Sequence, residues 1–137
     1  MKFLIYLFGF FIATPVIHAQ DGWKITLNNK TLLSSNKSDE TLNTKNIKST
    51  DWKKNGFLEI SYPKIISSSW FHSMLFTDEL GNQLLVKDSV YAKIPTASLR
   101  KLTVGKKQLK IYMAISPSNP MISAPSRLLH LCTLKLP

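Results

Sequence analysis

Leu109–Ile115 reads LKIYMAI, with Leu109, Ile111, Met113 and Ile115 at alternate positions and Lys110, Tyr112 and Ala114 between them. Successive side chains of a strand point to opposite sides of a sheet, so this spacing predicts a β-strand with one buried face. The same period recurs towards the N-terminus. Trp23-Lys24-Ile25-Thr26-Leu27 alternates, and Asn28-Asn29-Lys30 reads as a turn into Thr31-Leu32-Leu33. After Asn55-Gly56, Leu58, Ile60 and Tyr62 share a face until Pro63 ends the run. Trp70–Thr77 (WFHSMLFT) is apolar on both faces, as in a central strand covered on both sides. Asp78–Asn82 is a turn that returns Gln83–Lys87 as its hairpin partner, and Val90, Ala92 and Ile94 share a face.

One helical turn is expected, Ala97–Leu102, with Thr96 or Ser98 to cap it and Gly105 to stop it. Ser34–Lys54 is polar, with Leu42 and Ile47 as lone anchors, and reads as a long loop carrying one edge strand. Seven to nine short strands with evenly spaced turns predict an antiparallel β-sandwich of immunoglobulin-like type, with a small β-barrel as the alternative.

The final strand, RLLHLCTLKLP (127–137), holds the single cysteine. Strict alternation puts Leu128, His130, Cys132, Leu134 and Leu136 on one face and all the charge on the other, so the first face is expected inward. A free cysteine among leucines behaves as a small buried hydrophobe whose thiol is hard to ionise. The alternative is a soft-metal site of copper type, with the imidazole of His130, the thiolate of Cys132 and a thioether from Met113 or Met121. Cupredoxins place the cysteine first and a methionine after the histidine; here His130 precedes Cys132 and no methionine follows. One cysteine forms no internal disulfide, so the core must hold without one.

The N-terminus, MKFLIYLFGFFIATPVIHAQ, has Lys2, an apolar run too short to span a bilayer and Ala19 before Gln20. That is the pattern of a secretory signal peptide over 1–19, leaving 20–137 as a single exported domain, periplasmic, at the cell surface or secreted. Lys and Arg number 18 against 8 Asp and Glu, for a formal charge of +10. This balance favours anionic neighbours such as an envelope polymer or an acidic protein. The lysines are scattered, and nothing has the basic and aromatic pattern of a nucleic-acid binder.

Motifs of catalysis are missing. No Gly-x-Ser-x-Gly elbow, phosphate-binding loop or dinucleotide fingerprint occurs, so no cofactor is implied. The acidic residues fall mostly in turns rather than as a facing pair. Asp78–Asn82 lacks the ligand count of a calcium loop. Asn29-Lys30-Thr31 and Asn36-Lys37-Ser38 match the N-glycosylation triplet, and Asp88-Ser89-Val90 resembles an O-glycosylation acceptor at Ser89. The Ser116–Pro125 connection carries three prolines and an apolar tip. Prolines lower the entropy lost on binding, which marks Ser118, Asn119, Pro120, Met121 and Ile122 as a candidate recognition loop. The expected function is binding, or an accessory role in the envelope, rather than catalysis.

Overall fold

The computed structural model describes residues 22–63, 70–119, 121 and 126–137. The expected leader lies outside them, as do Pro120 and Ile122 of the loop. The described elements are β1 Trp23–Leu27, β2 Lys30–Ser35, β3 Thr44–Asn46, α1 Ser49–Lys53, β4 Phe57–Ser61, β5 Trp70–Thr77, β6 Gln83–Lys87, β7 Tyr91–Pro95, α2 Thr96–Leu102, β8 Gln108–Pro117 and β9 Arg127–Lys135. They form a four-stranded sheet, β2-β1-β4-β7, and a five-stranded sheet, β3-β9-β8-β5-β6. Among the described residues no strand pairing joins the two sheets, so the fold is a β-sandwich and not a closed barrel.

Alternation accounts for the core. Trp23, Ile25 and Leu27 of β1, Leu58 and Ile60 of β4, and Ala92 and Ile94 of β7 are buried from one sheet. Met74 and Phe76 of β5 and Leu109, Ile111, Met113 and Ile115 of β8 meet them from the other. The β1–β2 hairpin turns at Asn28 and Asn29, both at positive φ (51° and 69°). Asparagine tolerates that region, and the primed turn it makes matches strand twist. Next to it the chain packs so closely that a Cβ on Gly56 would collide with the Asn28 side chain.

Four features depart from the sequence reading. The pairing of β3 with β9 is parallel, whereas every other strand pair among the described residues is antiparallel. The polar stretch also carries α1, which buries Trp52 and is held from outside itself. Arg100 of α2 donates from Nη1 to the carbonyls of Trp52 (2.7 Å) and Lys54 (3.2 Å). A guanidinium there satisfies the last carbonyls of a helix and opposes its negative end. Neither Thr96 nor Ser98 caps α2. Pro95 occupies the cap position, and the Thr96 hydroxyl instead donates to Lys54 O (2.7 Å) and accepts from Gly56 N (3.1 Å). Finally, β5 is central, but Phe71 on its outer face is 47% exposed.

The register of β9 against β8 slips by one residue. Ile111 pairs with Cys132, yet Tyr112 pairs with His130, leaving Leu131 as an extra residue in a β-bulge. A bulge removes one ladder partner and locally reverses which side chains face inward. Trp23 on the opposite sheet meets the deficit: its indole N–H donates to Leu131 O at 3.0 Å, in the buried interior. The Trp23 ring also stacks on Tyr62, centroids 6.0 Å apart.

The β5–β6 hairpin is closed by a buried carboxylate. Asp78 Oδ1 accepts from Leu80 N and Asn82 N, each at 2.9 Å. Its Oδ2 accepts from Asn82 Nδ2 and from Lys106 Nζ, also at 2.9 Å. Three of these donors come from the turn itself, and Lys106 ties the hairpin to the segment that leads into β8.

Two outcomes test this fold. Trp23→Phe keeps the ring but orphans the bulge carbonyl, and should cost about 1–3 kcal/mol. The check is a lower urea midpoint at unchanged m-value. Lys106, and then Asn82, hold the Asp78 carboxyl well below its ordinary 3.8. A depressed acid stabilises the fold above the unfolded value and loses that contribution as pH falls below it. The thermal midpoint should therefore drop on acidification below about pH 4. Asp78→Asn should lower the neutral-pH midpoint and flatten that acid limb; an unchanged limb assigns it to other groups.

Candidate functional site

The bulge decides where the C-terminal strand puts its chemistry. Cys132 and Leu134 pair across from Ile111 and Leu109 and lie in the core, with Leu131 buried beside them. Before the bulge, Leu129 faces inward opposite Met113, while His130 turns outward beside Tyr112. Their rings meet edge to face, 5.5 Å between centroids. His130 and Cys132 therefore do not share a face, which corrects the strict alternation expected for this strand. Met113 is buried in the core with Cys132, away from the imidazole. No group of three His, Cys, Asp or Glu able to hold a metal occurs among the described residues.

On the outer face, two rows of polar residues cross three strands. Thr44 of β3, Thr133 of β9 and Lys110 of β8 form one row; Asn46, Lys135 and Gln108 form the next. The turn before β3 raises a wall beside them. Asp39 Oδ1 accepts from the backbone N–H groups of Thr41 (3.0 Å) and Leu42 (3.2 Å), shaping that turn. The Thr44 hydroxyl donates to Glu40 O (2.6 Å), and Lys110 Nζ lies 3.3 Å from Glu40 Oε1. The result is an open groove of about 620 Å³ lined by Glu40, Thr41, Thr44, Asn46, Gln108, Thr133 and Lys135.

His130 sits behind the floor of this groove. Ser38 Oγ both donates to His130 O (3.1 Å) and accepts from His130 N (2.9 Å), taking the place of a strand partner beyond the end of β3. The imidazole Nε2 lies 2.7 Å from Thr133 Oγ1, and Nδ1 is buried with no hydrogen-bond partner. Burial lowers the His130 pKa; Glu40 and Asp39 partly oppose that and Lys110 reinforces it. Lowered from the ordinary imidazole value of 6.5, the ring is neutral at pH 7. Among the described residues no third group holds Nδ1.

The other residues singled out from sequence are spread over the surface. Ser118, Asn119 and Met121 lie in the described part of the loop; Met121 is 87% exposed, and its N–H donates to Asn119 Oδ1 at 2.9 Å. Asn29, Asn36 and Ser89 are exposed in or beside turns. His72 faces inward on β5, opposite Ile115, with its ring 6.0 Å from that of Tyr62. The groove itself escaped the sequence reading. Its advance signals were the polar stretch Ser34–Lys54, a candidate second contact surface that supplies Glu40, Thr41, Thr44 and Asn46, and the polar face of β9 with Thr133 and Lys135.

Burial pushes the Cys132 thiol up to about 12. It should resist a disulfide reagent in the folded state at pH 8 and react at the rate of unfolding, since the thiolate is the nucleophile. Rapid native labelling would place the sulfur at a surface, against its 0% exposure.

No protein family, curated protein or solved structure matches the chain, so the groove is read from its own chemistry.

Proposed function

We propose that the protein is an exported, non-enzymatic binding domain of the cell envelope or its surroundings, and that the groove across β3, β9 and β8 is where its ligand rests. The observation that carries this reading is the convergence of seven polar side chains from three strands and one turn on a single concave surface. Binding sites carry a few convergent polar groups on a rigid scaffold, and here the scaffold is the sheet itself. Hydroxyls and amides predominate, which suits a ligand rich in hydroxyl groups such as a polysaccharide. The basic balance of the chain supports an anionic neighbour. The leader expected over 1–19 supports export. No helix among the described residues is long and apolar enough to cross a membrane.

A second recognition surface has one observation in its favour, the exposed tip at Asn119 and Met121. Both surfaces are tested by co-sedimentation with polysaccharide isolated from the envelope of the host. Gln108→Trp or Asn46→Trp would fill the groove from half-buried or exposed positions without touching the core. Either should weaken retention at least about tenfold, equivalent to 1.4 kcal/mol, with the melting temperature unchanged. Full retention by both variants, together with loss in an Asn119→Ala, Met121→Ala double variant, would move the site to the loop.

A further inference from the structure

Resting on that reading of the groove, we infer that its ligand is an acidic sugar, whose oxyanion is met by the Thr133 hydroxyl and the Lys135 ammonium, and that His130 is a positioning residue that turns the Thr133 hydroxyl towards it.

A neutral histidine carries one proton, on Nδ1 or on Nε2, and the hydrogen bonds around it decide which. His130 has a single side-chain bond, from Nε2 to Thr133 Oγ1 at 2.7 Å, and its Nδ1 is enclosed without a partner. A proton on Nδ1 would bury an orphaned N–H donor, which folded proteins rarely tolerate. A bare Nδ1 lone pair is an under-used acceptor, a lesser cost. The proton therefore sits on Nε2, and the imidazole donates to Thr133 Oγ1.

That assignment settles what the threonine can do. Its oxygen has accepted, so its own hydrogen must point elsewhere. Thr133 is 2% exposed, and the open space it meets is the groove whose floor it forms. The floor thus presents a donor. The next residue on the same face, Lys135, adds an ammonium with three donors and no acceptor, and no carboxylate lies within ion-pair distance of it among the described residues. The one carboxylate of the groove, Glu40, is already engaged by Lys110 at 3.3 Å. The Thr44 hydroxyl is spent on Glu40 O. The residual character is donor-rich and positive at Thr133 and Lys135, flanked by the two-way amides of Asn46 and Gln108. An oxyanion on a sugar ring fits the first pair, and ring hydroxyls fit the amides. Carboxylate and sulfate groups offer the same chemistry at this point.

The test uses the full chain after its expected leader and three soluble probes: tetragalacturonic acid, a κ-carrageenan tetrasaccharide whose only acid groups are sulfates, and neutral maltotetraose. Amide chemical shifts report the site, and titration gives affinity. At least one acidic probe should move the amides of Thr133, Lys135 and Gln108 and bind about tenfold tighter than maltotetraose. Lys135→Met, at an exposed position, should erase that preference. His130→Phe, which keeps a ring against Tyr112, should lower affinity for the acidic probe more than for the neutral one. Imidazole nitrogen shifts should show the Nε2–H form. Which acidic probe binds identifies carboxylate or sulfate as the group. Equal binding of maltotetraose at the groove amides would overturn the acidic ligand and leave the groove standing. Failure of every probe to move those amides would overturn the groove reading as well. An Nδ1–H tautomer would overturn the role given to His130.

Discussion

One hydrogen bond joins the two sheets at the point where the strand pattern breaks. The bulge at Leu131 leaves a peptide carbonyl inside the protein with no ladder partner, and the Trp23 indole reaches it from the facing sheet. A buried carbonyl without a donor costs about 1–3 kcal/mol, so the bulge and the placement of Trp23 stabilise each other. Stacking of the same ring on Tyr62 fixes the indole in turn. The alignment of the sheets and the register of the C-terminal strand are thus set together.

That register distributes the chemistry. Beyond the bulge, alternate residues of β9 serve two purposes: Cys132 and Leu134 fill the core, while Thr133 and Lys135 look out. Before it, His130 has crossed to the outer side, where burial beneath the turn at 38–41 keeps it neutral. An inward histidine beside a cysteine would have been a candidate ligand pair. An outward histidine against a threonine is instead a hydrogen-bond relay into a groove. The slip of one residue separates these two outcomes.

Much of the fold was legible because alternation is a direct consequence of burying one side of a strand. Trp23–Leu27, Phe57–Ser61 and Leu109–Ile115 all show it, and the turn at Asp78–Asn82 announces its hairpin. The bulge was not legible, because leucines stand at 128, 129 and 131, on both faces of the strand around it, and so hide a change of face. The parallel partner β3 reads only Thr-Lys-Asn, and its pairing spans most of the chain, so no local pattern marks it. Nor did α1 show in advance; its carbonyls are satisfied by Arg100, 48 residues away for the bond to Trp52 O. The groove inherits both blind spots, since it needs the bulge for its floor and β3 for its wall.

The groove also joins parts of unequal rigidity. Its floor belongs to β8 and β9, which pair along most of their length and pack on the core. Its wall belongs to β3 and the turn before it, three paired residues and a few side-chain bonds to exposed groups. Elements with few buried contacts open at lower free energy than the strands they lean on. A ligand touching both would gain its orientation from the floor and would order the wall as it bound. Its contacts to Thr133 and Gln108 would then be made to side chains already in place, and the entropy of binding would be lost chiefly at the exposed Lys135 and along the wall. Specificity in such a site belongs to the rigid donors of the floor, and affinity is adjusted by how much of the wall must be ordered.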